Sequence, residues 1–371
     1  MSELDPRLVA HRPALVYDPQ EAFGAASAAT ITDFPGNVLR DGTGAVIARA
    51  GERLSLALLG SYPAAAGDRL DERPDPVAAA RWFANREEYG PRVYGRVVRD
   101  GAEEWLQYWI WGYYNPKNLL GIGSHEGDWE LVQVGLGGDG RPASVTCSQH
   151  SSGEARAWEK VERLGTHPVI YVAPFSHANY FEPGAHPYVF GIDNPDGTLA
   201  PVAAPVEAFG PWVGWPGRWG NSTGALGGRL GGRSPASPAQ QGMRWSAPAT
   251  YHRLAQAFSP VRTLSRVLGI GSAATQPRLR AVAAARADGS VDVGWTAGRG
   301  PLRGATHLHV TVHDADGAVL GSSVERIRGR AGTLRVPAPA AAESVRVSAY
   351  NALRQRSDPL QTPMEEDPHR A

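Results

Sequence analysis

The sequence predicts a mainly β protein, an antiparallel β-sandwich core with a few short helices, followed by a smaller β-sandwich. Three observations carry this. Gly 44 and Pro 30 in a chain of 371 residues favour strands joined by many turns. EEWLQYWIWGYYN, from Glu103 to Asn115, is dense in aromatic residues that suit a pleated surface. Further runs of the same kind follow it, with few helix-period segments between them.

Taken in order, AGERLSLALLGSYP (50–63) reads as a strand flanked by loops. DPVAAARWFANREEYG (75–90) reads as a short helix, with Asp75 as N-cap, Pro76 at the first position and Gly90 as terminator. In the aromatic strand, alternation puts Trp105, Gln107, Trp109, Trp111 and Tyr113 on one face. DWELVQVGL (128–136), ASVTCSQH (143–150), HPVIYVAPF (167–175) and HPYVFGI (186–192) read as further strands. SGEARAWEKVERLG (152–165) is the helix-period exception.

From 210 to 248 the chain turns to Gly, Pro and Trp and reads as a long loop packed on the first unit by its tryptophans. TYHRLAQAFSPVRTLSRVLG (250–269) reads as a linker helix broken at Pro260. Short alternating runs with the lone Trp295 from 276 to 357 are similar to a fibronectin type III or immunoglobulin-like sandwich, a kind of module that docks a protein partner. The expected organisation is a first domain over 1–248, a linker over 249–275, the second sandwich over 276–357 and a disordered polar tail over 358–371.

Bulk properties exclude several function classes. Lys and Arg number 37, as do Asp and Glu, so no net charge draws the chain to nucleic acid. Cys147 is the single cysteine, which rules out an intramolecular disulfide. The first residues lack a signal-peptide pattern and no apolar run has the length of a bilayer span, so a cytoplasmic location is expected.

The chemistry concentrates in GIGSHEGDWELVQVGL. In a strand from Asp128, alternation sets Asp128, Glu130, Val132 and Val134 on one face, with Trp129 and Leu131 on the other. Two carboxylates opening an otherwise apolar face call for a positive partner. His125 stands at an odd offset and must arrive through a bend, which Gly121, Gly123 and Gly127 permit. His125, Asp128 and Glu130 therefore form a candidate site for a divalent cation, of the Mg, Ca or Mn type rather than Zn. Strand-end capping and pairing of Glu130 with an arginine are the plainer uses of the same groups.

His150, His167 and His177 bracket neighbouring strands. Ser176 stands in no GxSxG elbow, so hydroxyl catalysis has no support. Gly135, Gly137 and Gly140 match GxGxxG, yet Pro142 and a strand follow where a phosphate cradle needs a helix. GALGGRLGGR lacks the Walker lysine.

HRPALVYDPQE, WLQYWIW, HEGDWE, SQHSSGEARAWEKVE, THPVIYVAPFSHANYF, WPGRWGN and the later RW, over about 10–250, resemble the vacuolar protein sorting 62-related family. HEGDWE is also similar to the GHRHDWE heptad of necrosis- and ethylene-inducing peptide-like toxins. That resemblance implies a β-sandwich and a cation held by a histidine and carboxylates, here His125, Asp128 and Glu130, which recognises sphingolipid head groups. The chain departs from the heptad at Gly127, and Asn115 stands near where the toxins carry an upstream aspartate.

Two functions are expected to use this one site. In the first, the cation binds a small polar ligand such as a lipid head group, sugar or phosphate, with Trp111, Tyr113, Asn115 and His150 in contact with it. In the second, the cation activates water and Glu130 or His177 moves the proton in a hydrolase. A scaffold or adaptor protein without chemistry is the third reading.

Overall fold

A computed structural model of the chain describes all residues except 1–3, 20, 64, 66, 72–75, 85, 116–124, 151, 185, 189–190, 222–233, 258–278, 299–304, 316–318, 351–356, 358–359 and 366–371. Asp75, Gly121, Gly123, Pro260 and the glycine run at 224–233 lie outside the described residues. Strand accounts for 46% and helix for 16%, so the architecture is mainly β, as expected.

The central sheet has six strands in the order Val206–Ala208, Val93–Asp100, Glu103–Asn115, His125–Leu136, Pro142–Gln149 and Ser152–Ala157. All its pairings are antiparallel except the first, where Val206 runs parallel to Val93. The aromatic strand has the predicted limits and the predicted alternation. Leu106, Tyr108 and Ile110 pack with Val132, Val134 and Val145 on one face, beneath Leu15, Ile170 and Val172 of a second sheet. That smaller sheet pairs Ala14–Val16, Arg163–Leu164 and Asn179–Tyr180 with His167–Val172. This is the sandwich core.

The opposite face carries Trp109, Trp111, Trp129 and Leu131. Trp212, Trp215 and Trp219 of the long loop pack on it, all with 4% exposure or less. Trp129 and Trp212 stack with centroids 5.8 Å apart, and Trp111 meets Trp219 edge-on at 5.2 Å. The loop is thus the cover of a hydrophobic face, its order set by aromatic burial.

Four expectations are corrected. Residues 50–63 contain a single helical turn, Leu56–Leu59, capped by Ser55 Oγ, instead of a strand. Its apolar residues cluster locally and only Leu59 is buried, so no alternating face exists to pair. The helix-like 152–165 segment is the edge strand Ser152–Ala157, a 3-10 turn and the short strand Arg163–Leu164. Pairing along Ser144–Gln149 outweighs helix propensity there. HPYVFGI is two strands, His186–Tyr188 and Gly191–Asp193, which pair as a hairpin. The polar tail supplies a strand, Leu360–Glu365, held by Ser344–Tyr350 and Leu279–Ala287.

The helix expected over 75–90 forms as Pro76–Ala84, and Gly90 ends a separate 3-10 turn, Glu87–Tyr89, instead of the helix itself. Pro248–Ala257 is helical too, but it packs on the first unit instead of bridging: Tyr251 is buried among the tryptophans. Residues 279–365 form a seven-stranded sheet whose two halves meet at Leu360–Glu365 and enclose Trp295, Val293, Val310 and Val347. His309 of this unit lies edge-on to Tyr171, with centroids 6.1 Å apart. Among the described residues, no helix is long and apolar enough to cross a membrane.

Candidate functional site

The site strand, His125–Leu136, holds its pairing with the aromatic strand out to His125 opposite Asn115. Its pairing with Pro142–Gln149 stops at Val132 opposite Cys147, and Leu131 N donates instead to Ser148 Oγ at 2.7 Å. Where the two strands part, a cavity of about 1090 Å³ opens. Asp128, Trp129 and Glu130 line it from the site strand, and His150, Ser152 and Gly153 from the far side of the gap. Asn115, His125, Ser176, Arg218 and Arg244 complete its polar wall.

Gly127 makes this wall. Its φ is +66°, which breaks the strand alternation as the bend before Asp128 requires. A Cβ at this position would strike the Trp219 carbonyl and the Trp111 indole. The histidine of the toxin heptad therefore has no room here. Glu126, just before it, is held by the loop: its carboxylate accepts Asn221 N at 2.7 Å and its own N–H donates to Asn221 O at 3.1 Å. HEGDWE and WPGRWGN are two halves of one local structure.

His125 belongs to the strand but turns on itself. Its Nδ1–H donates to Gly127 O at 2.7 Å, and Asn115 Nδ2 donates to its Nε2 at 3.1 Å, with the tautomer set by these partners. Asp128 and Glu130 share the face predicted for them. Glu130 accepts a hydrogen bond from Ser148 Oγ. Burial and the neighbouring Asp128 charge push its carboxyl up to about 7. Burial also works against the Asp128 charge, yet His177 and then His125 hold its pKa below the usual value.

His177 stands behind the wall and does not reach the cavity. Its Nδ1 is 3.2 Å from Asp128 Oδ2 and its Nε2 is 3.7 Å from Glu21 Oε1. Burial opposes its charge, but Glu21 and Asp128 together raise its pKa to about 10. Glu21 is fixed in turn by the N–H groups of Phe23 and Phe175, at 2.8 and 2.7 Å. The ring lies against Gly112, where a Cβ would come within 2.7 Å of it.

His150 adopts a left-handed conformation, φ 51°, and its Nε2 lies 2.7 Å from Asp193 Oδ2. Asp193 also accepts from Ser176 Oγ at 3.0 Å and from Tyr180 OH at 2.7 Å. Trp111 and Tyr113, expected to touch ligand, do not line the cavity. Both are buried, Trp111 donating to Thr30 Oγ1 and Tyr113 packing on Phe23, Phe34 and Phe83. Strand alternation sends them into the core beside the gap.

A polar row fixes the opposite wall. Arg96, Gln107, Gln133 and Thr146 stand in register across four strands. Arg96 donates to Trp245 O, Gln107 to Arg244 O at 2.6 Å and Gln133 to Pro248 O at 2.9 Å, while Thr146 Oγ1 meets His252 Nδ1 at 2.7 Å. These bonds pin residues 244–252, and with them the Arg244 guanidinium, which donates to the carbonyls of His150 and Ser152.

The expected cation set tests poorly as a finished chelate. Among the described residues, no group of three His, Cys, Asp or Glu side chains is placed to hold a metal ion. His125 uses its nitrogens on Gly127 and Asn115, and the positive partner that Asp128 needs is His177. Glu21, Asp193, Arg218 and Arg244 escaped sequence reasoning. Three of them sit in the DPQE, WPGRWGN and RW blocks; Asp193 carried no signal.

No protein-family model matches the chain and no curated protein matches it. Among solved structures, it is similar to NLPPya in complex with glucosamine, at 13% identity and TM-score 0.30 over 55% of this chain and 72% of that one. The mannosamine complex gives 16%, 0.29, 55% and 73%. A structure described as a toxin fold as basis for microbial attack and plant defense gives 14%, 0.31, 65% and 90%. These neighbours are necrosis- and ethylene-inducing proteins, and at such scores the likeness decides neither ligand nor mechanism for this chain.

Proposed function

We propose that the first unit binds a small polar ligand in the cavity beside the site strand, through Asp128 and Glu130 with Asn115 and His150. The observation that carries this is the gap between the two strands: it exposes a buried carboxylate pair to a cavity large enough for a sugar or a head group. Two such carboxylates on one wall suit a ligand that brings hydroxyl and amine donors.

Cation dependence is the second reading, favoured by the shared face of Asp128 and Glu130. These two are the groups that would take the ion. A hydrolase is supported less: of its two expected proton shuttles, His177 is enclosed between Asp128 and Glu21, which leaves Glu130 alone at the cavity.

Thermal melting with glucosamine, alone and after EDTA followed by Mg²⁺, Ca²⁺ or Mn²⁺, tests both. The binding reading expects a saturable rise in Tm that Asp128→Asn abolishes. A rise that needs the metal supports the cation reading. No rise under any condition overturns both.

A further inference from the structure

The second sandwich has one basic end. Arg280, Arg326, Arg328 and Arg330 are all exposed there. Register brings them together: Leu279 faces Ala297, Ala297 N donates to Arg330 O at 2.7 Å, and Arg326 faces His307 in the other half of the sheet. Arg280 is the extra residue of a bulge between Leu279 and Ala281, a place where a side chain is re-aimed out of the ladder. Elsewhere in this unit Arg335 pairs with Asp292, Arg286 donates to Ala342 O and Arg346 to Gln361 Oε1. Among the described residues, none of the four has a carboxylate partner. Glu325 is the one described carboxylate at this end, while Asp288, Asp314, Glu343 and Glu365 stand at the other.

The turn that carries three of these arginines is fixed. Ile327 is buried, and its N–H donates to Thr306 O at 2.9 Å. Gly329, with φ 90°, lets the chain reverse into the next strand. Ile327 points inward, and Arg326 and Arg328 on either side of it are exposed. The guanidinium groups stand on an ordered backbone, which lowers the cost of binding an anion.

Arg330 also opens an edge strand, Ala331–Pro337, which among the described residues pairs only with Ser290–Ala297. Ala297 N donates to Arg330 O at one end of this ladder, and Ala338 N to Gly289 O at 3.1 Å at the other. In an antiparallel ladder the bonded pairs alternate, so Gly332, Leu334 and Val336 also bond inward. Ala331, Thr333 and Arg335 thus turn their N–H and C=O groups away from the sheet, and all three are exposed. An unpaired edge beside unpaired guanidinium groups suits an extended peptide with carboxylates. A lipid surface or a nucleic acid would bring the charge but no backbone for the edge.

We propose that this end of the second sandwich docks an extended acidic segment of a partner protein, which adds a strand beside Ala331–Pro337 and sets its carboxylates on Arg326, Arg328 and Arg330. The proposal concerns a surface on the second unit and stands or falls independently of the cavity in the first.

Fluorescence anisotropy tests it with the full chain and a labelled peptide of about ten residues that alternates Glu with Val, so that its carboxylates share one face. Saturable binding is expected, weakened at least roughly ten-fold when Gln replaces Glu in the peptide. The paired substitution Arg328→Glu and Arg330→Glu should cause a similar loss. Thr333→Pro removes an outward N–H without changing charge and should also weaken binding, which keeps the test decisive if the arginine variant fails to fold. Hydrogen exchange at Ala331, Thr333 and Arg335 should slow when the peptide binds. No binding, or equal binding of the Glu and Gln peptides, overturns the proposal. Binding that leaves those amides exchanging at their free rate overturns the added strand. Retention on phosphatidylserine vesicles without peptide binding makes the basic end a membrane contact and overturns the protein partner.

Discussion

His177 Nδ1 lies 3.2 Å from Asp128 Oδ2, while its other nitrogen lies 3.7 Å from Glu21 Oε1. One buried imidazolium thus joins the N-terminal segment, the site strand and the loop after His167–Val172. Removing it as His177→Ala leaves two buried carboxylates facing each other. The expected loss is about 3–5 kcal/mol in urea unfolding, the usual cost of breaking a buried pair. A loss under 1 kcal/mol would show that the imidazole carries no charge.

The same triad sets a pH window. His177 is raised from 6.5 to about 10, so the stability it gives is complete below 6.5 and disappears as pH rises through 10. Glu21 and Asp128 are lowered, so their contribution is present above the ordinary carboxylate range and lost as pH falls through their folded values. Chemical denaturation from pH 4 to 10 should therefore peak near about 5–6.5 and decline on both sides. Glu21→Gln should flatten the alkaline limb.

Glu130 works in the opposite direction. Its pKa is raised from 4.5 to about 7, so the protein gives up stability as pH rises through that interval. Glu130→Gln keeps an acceptor for Ser148 and removes the buried charge. At pH 8 the variant should be more stable by roughly 1–3 kcal/mol and should bind ligand more weakly. A variant that is both more stable and equally competent in binding would separate Glu130 from the site.

Gln107→Leu tests the polar row. It leaves Arg244 O without its donor and loosens the attachment of residues 244–252. The expected cost is about 1–3 kcal/mol, with faster hydrogen exchange in the Pro248–Ala257 helix. Unchanged exchange there would mean that aromatic packing alone holds the segment.

The strands of the central sheet were legible because aromatic density and alternation survive in EEWLQYWIWGYYN and DWELVQVGL. The edge strand Ser152–Ala157 was not, since pairing along its whole length with Ser144–Gln149 overrides a helix-like pattern. Asp128 and Glu130 share the face that alternation assigns them and line the cavity. Trp111 and Tyr113 were misplaced because alternation says which face a side chain takes, not whether that face meets core or cavity. His177, Glu21 and Arg244 meet the site strand only through tertiary contacts between segments far apart in sequence, which no local period records.

The central claim is that the gap beside Asp128 and Glu130 is a ligand site. Calorimetric titration of glucosamine into the wild-type chain and into Asp128→Asn, with folding of both checked by near-UV circular dichroism, tests it most directly. The account predicts saturable one-site heat in the wild type and at least a roughly ten-fold loss of affinity in the variant. Equal heats in the two proteins, or none in either, would contradict it.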